Sequence, residues 1–274
     1  MRMSVMPVGI AGCVCLLSAG LLAQSWTLPR AMPVKDAGPR AYRFTMNHTV
    51  SDTKGQVVQR QRVTADYTRG LAGGDAMWKN VTVAESNGPG AISGPGEKRE
   101  FMEGLRYRSG SPGLADSMKP EFFKAFPPTA VMERNLVWDT GMIEMFGQDE
   151  FDHLKLNAPY RLLSSQDVNM PGIGTFQNRD VQLTWVGRSR RNGQECAVID
   201  YIALFNPLAI ATGGMTLTGR SHYWGEIWVA LATRQIEYAT LQEDVLGELK
   251  LPGQETAQII NVFRSGIFEP VVTQ

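Results

Sequence analysis

The sequence predicts a mainly β fold of the α+β class, built on antiparallel strands. Three observations carry this. The first third holds runs of alternating polarity separated by turn residues. The last third repeats that pattern around an Asn-Gly turn. Between them lies a stretch whose apolar residues fall at mixed helical spacing.

Taken in order, AYRFTMNHTV (41–50) is rich in β-formers, and SDTKGQ (51–56) is a turn. VVQRQRVTADYTR (57–69) places Val63, Ala65 and Tyr67 on one parity, and GLAGGD (70–75) is a loop. AMWKNVTVAES (76–86) alternates again, with Met77, Lys79, Val81 and Val83 against Trp78, Asn80, Thr82 and Ala84. Three such runs in succession predict an antiparallel meander. NGPGAISGPGEK (87–98) is glycine- and proline-rich. It is no phosphate-binding loop, because Glu97 separates Gly96 from Lys98, Arg99 follows, and its prolines lack the N–H donors a phosphate needs. REFMEGLRYRSG (99–110) predicts a short strand or hairpin turning near Glu103-Gly104.

Pro120 opens a helical pattern over EFFKAF (121–126), which Pro127-Pro128 ends. In 129–157, Leu136, Val137, Met142, Ile143, Met145 and Phe146 suit one helix face, so a helical middle is expected over about 119–157. Strands then return. VQLTWVGRSRRNGQECAVIDYIAL (181–204) sets Asn192-Gly193 between two alternating runs, the chemistry of a type I′ hairpin. Further strands are expected over 215–231, 235–246 and 256–264.

The N-terminus reads as a secretory signal over 1–23. Arg2 is followed by the apolar run VGIAGCVCLLSAGLLA (8–23), which is shorter than the roughly 18 residues of a membrane span. The alternative is a lipoprotein anchored through Cys13, since Ile10-Ala11-Gly12-Cys13 is similar to a lipobox. Residues 24–40 form an extended leader, and 41–274 is expected to be a single β-rich domain. Such a chain is exported, periplasmic or extracellular, with no transmembrane span once processed. Cys196 is then the one remaining cysteine, in a strand pattern that suits a buried structural thiol.

Composition excludes more than it assigns. With 27 basic and 27 acidic residues the formal net charge is zero, and no block of like charge marks a nucleic-acid face. Hydrophobic residues make up 43% of the chain, enough for a sizeable core. There is no GxSxG, HExxH, paired-cysteine zinc motif or helix-opening GxGxxG. No catalytic residue, metal ligand or cofactor is therefore assigned. A non-catalytic protein is favoured over an enzyme.

GRSHYWGEIWVAL (219–231) is the densest candidate site. In a strand, Tyr223, Gly225, Ile227, Val229 and Leu231 form the core face. His222, Trp224, Glu226 and Trp228 form the other, roughly 6.6 Å apart in succession. His222 and Glu226 then stand roughly 13 Å apart, too far to act as an acid–base pair. The stripe is either a half-exposed sheet face or, with Trp185, a wall of a ligand cavity. In GQDEFDHLKL (147–156), Asp149 and His153 suit either a helix N-cap region or a metal site, the cap being the simpler reading.

The order of elements (signal, early meander, helical middle, second run of antiparallel strands) resembles bacterial lipoprotein carriers of the LolA and LppX type. REFMEGLRYRSG is similar to the short strand that precedes their helices. The likeness spans about residues 41–264 and transfers no functional residue. It implies a strongly curved antiparallel sheet, a half-barrel, with a few covering helices and a role in shielding a lipid or acyl chain. Three classes stay open: a carrier of a hydrophobic ligand, an envelope module that binds a protein partner, and a hydrolase assembled from scattered residues.

Overall fold

A computed structural model describes Val34, residues 38–162 and residues 166–271. The expected signal (1–23), Cys13 and nearly all of the leader lie outside the described residues.

The strands are β1 (Arg40–Ser51), β2 (Val57–Leu71), β3 (Asp75–Asn87), β4 (Glu97–Lys98), β5 (Arg106–Arg108), β6 (Pro159–Arg161), β7 (Gln166–Met170), β8 (Gly174–Asn178), β9 (Gln182–Arg191), β10 (Gln194–Thr212), β11 (Met215–Ala230), β12 (Ile236–Lys250) and β13 (Gln258–Pro270). The helices are α1 (Gly110–Ser117) and α2 (Val131–Glu144). All strands join one antiparallel sheet, ordered β4-β3-β2-β1-β13-β12-β11-β10-β8-β7 along its main path and not closed into a barrel. The early meander β1–β3 and the late meander β10–β13 meet where the first strand pairs with the last, Phe44 opposite Phe268.

The sheet is strongly curved. On a flat sheet, β2 and β11 would lie roughly 19 Å apart, four strand spacings. Yet one residue spans the gap: Gln148 accepts a hydrogen bond from Arg69 of β2 at 2.8 Å and donates to the carbonyl of Arg234 in the β11–β12 turn at 3.1 Å. Register shifts in β1–β2, β2–β3, β9–β10, β10–β11 and β11–β12 supply the bending, as β-bulges do. Gly225 allows a close approach of two central strands. A Cβ there would stand 2.1 Å from the carbonyl oxygen of Thr240 on β12. Helix α2 lies in the hollow, and Tyr42, Phe44, Tyr67, Trp78, Leu136, Phe146, Ile227 and Phe268 belong to the buried core between them.

The predicted meanders are present, and Asn192 and Gly193 both take positive φ (49° and 76°) in the expected hairpin. Three expectations are corrected. EFFKAF is not a helix but a run of turns, with Phe122 and Phe126 each donating three residues back. Helix α1 forms instead over GSPGLADS, where Pro112 is tolerated in the first turn. The predicted parity of β3 breaks at Asn80, whose φ of 51° marks a bulge, so that Trp78 and Val81 both face the core. Asp149 does not cap a helix start. It ends the π-helical turn Met145–Asp149 that prolongs α2, and its carboxylate takes the Ser111 hydroxyl.

Candidate functional site

The inner face of the sheet is mostly apolar, and a line of buried polar residues crosses it. On β1 the inward residues run Tyr42, Phe44, Met46, then His48. On β13 Arg264 interrupts Phe268, Gly266, Val262 and Ile260. On β12 Glu243 separates Leu241 from Val245, on β11 Ser221 separates Tyr223 from Leu217, and on β10 Asn206 follows Ala203. Register places these residues side by side: His48 opposite Arg264, Arg264 opposite Glu243, and Ser221 opposite Asn206. Helix α2 adds Asp139 from above. No member of this belt is more than 8% exposed.

The belt is held by charge. Arg264 donates to both Asp139 and Glu243, ion pairs sealed from water. The Ser221 hydroxyl donates to Glu243 at 2.5 Å, and the Asn206 amide donates to the Ser221 carbonyl at 3.2 Å. Burial opposes the Arg264 charge, but Asp139 and Glu243 outweigh it and raise its pKa. Burial pushes the Asp139 carboxyl up to about 6, against the pull of Arg264 and with the repulsion of Glu243. Burial and the Arg264 charge hold His48 down at about 3, so its ring is neutral.

The belt divides the inner face in two. On one side lies the core under α2. On the other, Leu208, Leu217, Val245 and Ile260 form a second apolar group, flanked by the partly buried Val50, Phe176, Ile210, Leu249 and Val262. Every member of this second group comes from the sheet; no described helix contributes a side chain. It is a concave apolar floor with a charged, hydrogen-bonded wall at one end.

The residues singled out in the sequence lie elsewhere. His222, Trp224, Glu226 and Trp228 share the outer, convex face of β11. Trp185 is buried on the inner face, paired with Ile199, so the five do not line one cavity. His222 accepts from the Phe205 amide at 3.4 Å and meets its ring edge-on at 4.8 Å. Trp224 packs beside Phe263 at 6.3 Å. Glu226 stands opposite Asp200, whose pKa is raised by burial and then by that like charge. Trp228 lies under the Arg191 guanidinium, which rests 3.6 Å from the Tyr238 ring. No two of them converge on a reacting atom. The outer face does carry an apolar patch: Ile202 pairs with Trp224, and Phe263 and Ile267 follow on β13, each 37–42% exposed. His153 pairs with Glu150 at 2.9 Å and stacks on Tyr160. Among the described residues no group of three or more possible metal ligands forms.

An open cleft of about 360 Å³ lies at the far end of the strands, beside Arg40, Asn192 and Glu237. Arg40 donates to Glu237 at 2.7 Å and to Gln235, so this charge is met within the protein.

Sequence reading missed the belt because its strand residues come one to a strand, each on a parity that is otherwise mostly apolar. The available signal was repetition: five strands each place a polar residue within such a parity.

No protein-family model matches the chain, and no curated protein sequence does. Among solved structures it is similar to one described as "lipid-protein interactions in lipovitellin", at 13% identity and a TM-score of 0.37. That match covers 89% of this chain and 26% of the other. No family match supports the lipoprotein-carrier resemblance, which rests on the order of elements. No described helix is long and apolar enough to cross a membrane.

Proposed function

We propose that this is an exported, non-catalytic protein that holds a hydrophobic ligand, an acyl chain of a lipid, on the inner face of its half-barrel. The observation that carries the reading is the second apolar group. Leu208, Leu217, Val245 and Ile260 form a concave floor to which no described helix contributes. Burial of each methylene on such a floor is worth about 0.8 kcal/mol before the costs of binding. The belt of His48, Arg264, Glu243, Ser221 and Asn206 bounds the floor and sets how deep a chain can reach. Export rests on the N-terminal sequence alone.

The test is native mass spectrometry of protein purified without detergent, beside a solvent extract of the same sample. A bound mass that extracts as lipid, and that Leu217→Gln with Val245→Gln removes, is the expected result. An apo mass unchanged by incubation with envelope lipids refutes the reading.

The outer patch favours a second reading, an envelope module that docks a protein partner through Trp224 and its neighbours. His222, Glu226 and Trp228 would frame the contact. Its exposed residues (Ile202, Trp224, Phe263, Ile267) contribute nothing to either apolar core group. Under this reading, Trp224→Ser with Phe263→Ser abolishes a cross-link to the partner and leaves lipid content unchanged. A cross-link that survives both changes refutes it.

A further inference from the structure

We propose that Arg134, with the uncapped start of α2, forms an anion site at the rim of the apolar floor for the carboxylate or phosphate head of a bound amphiphile. This rests on the reading above for the tail of that ligand, and adds the chemistry of its head.

Arg134 is 3% exposed and, among the described residues, has no carboxylate as a hydrogen-bond or ion-pair partner. Its guanidinium carbon lies 5.6 and 5.9 Å from the ring centroids of Phe123 and Phe126. Nη1 donates to the carbonyl of Pro128 at 3.2 Å, and the buried Nε has no acceptor. Burial depresses its pKa, and the charge of adjacent Glu133 only partly offsets this. Glu133 is engaged elsewhere, in an ion pair with Arg99 at 2.7 Å. Buried charges are ordinarily paired, because desolvation is costly without a counter-charge. A buried guanidinium held only by a carbonyl and two ring faces is an incomplete site.

The helix completes it. Arg134 is the fourth residue of α2, and its side chain runs back to Pro128, ahead of the helix start. No side chain caps that end. The Val131 amide is taken by the Thr129 carbonyl at 2.8 Å, but those of Met132 and Glu133 lack intrahelical partners and lie at the positive end of the helix dipole. Arginine's planar donors suit the paired oxygens of a carboxylate or phosphate.

The position ties head to tail. The Pro128 carbonyl that takes Arg134 also takes the Thr212 hydroxyl, at the tip of the β10–β11 hairpin. Gly172 abuts the guanidinium: a Cβ there would stand 3.6 Å from Nη2. Two residues before Thr212, Ile210 packs with the floor. A head at Arg134 would therefore leave its chain to run along β10.

The experiment titrates purified protein, wild type, Arg134→Met and Arg134→Lys, with oleate, with the uncharged monoolein and with inorganic phosphate, by calorimetry below the lipids' aggregation concentrations. The wild type is expected to bind oleate about tenfold more tightly than monoolein. Arg134→Met should lose that preference and leave monoolein unchanged, and Arg134→Lys should keep most of it. Equal wild-type affinity for the two lipids overturns the anion site while leaving the hydrophobic carrier standing, and this holds even if Arg134→Met does not fold. Equal loss of both lipids in a folded Arg134→Met also overturns it. Phosphate binding that depends on Arg134, with neither lipid bound, supports the anion site for a free anion and refutes the carrier. Binding of none of the three overturns both.

Discussion

Replacing Arg264 by Met tests how much the belt contributes to stability. Arg264 supplies a charge-assisted bond to Asp139 and another to Glu243, both within the protein interior. A hydrogen bond to a charged group contributes about 1.5–3 kcal/mol, and breaking a buried ion pair costs about 3–5 kcal/mol. The variant therefore leaves two carboxylates buried without a cation, and a loss of about 3–5 kcal/mol is expected at pH 7.5. The sign of the pH dependence follows from Asp139, whose pKa is already raised to about 6 beside Arg264. A carboxyl raised above its unfolded value takes up its proton first in the native state, so stability rises as pH falls through that range. Removing Arg264 raises Asp139 further and relieves the repulsion on His48. Both effects shrink the gap between variant and wild type at pH 5, to about half. Equilibrium urea unfolding followed by tryptophan fluorescence at pH 7.5 and 5.0 measures this. A variant within about 1 kcal/mol of wild type at pH 7.5, or a gap that widens at pH 5, would refute the account of the belt as a buried ion-pair network.

Three further outcomes are expected. His48 is neutral in the native state, held at about 3, but takes a proton below 6.5 when unfolded. Stability is thus lost as pH falls from 6.5 toward 3, by up to roughly 5 kcal/mol; His48→Phe should remove this loss, and parallel acid unfolding curves for variant and wild type would show otherwise. Gly225→Ala drives a methyl into the Thr240 carbonyl, a backbone atom that cannot move aside, and should cost about 3 kcal/mol or more in a thermal melt. Burial pushes the Cys196 thiol up to about 11; Ellman's reagent should react with it only after unfolding, and rapid reaction in buffer would show that the strand pair around it opens.

Much of the fold was legible along the chain. Alternating runs such as VVQRQRVTADYTR and the Asn192-Gly193 turn are local signals, since a strand's two faces and a turn's positive φ are both set within a few residues. The second half of the middle helix was legible for the same reason. EFFKAF was not, because its phenylalanines pack on Arg134 and one another without needing a helix to align them. The break of parity in β3 was hidden in Asn80, whose left-handed backbone cannot be read from residue type alone.

The candidate site divides along the same line. The sequence by itself determined that His222, Trp224, Glu226 and Trp228 share one face of a strand, because side-chain alternation is a local property. Only the tertiary structure decided that this face is the outer one and that Trp185 lies on the other side of the sheet. His48, Asp139, Ser221, Glu243 and Arg264 are dispersed over more than two hundred residues. They meet because the first strand pairs with the last, and because the bulged sheet curls around α2. The sense of the curl decides which face is shut from water. That choice comes from where the helix can bury its apolar side, a balance struck over the whole sheet rather than within any one strand.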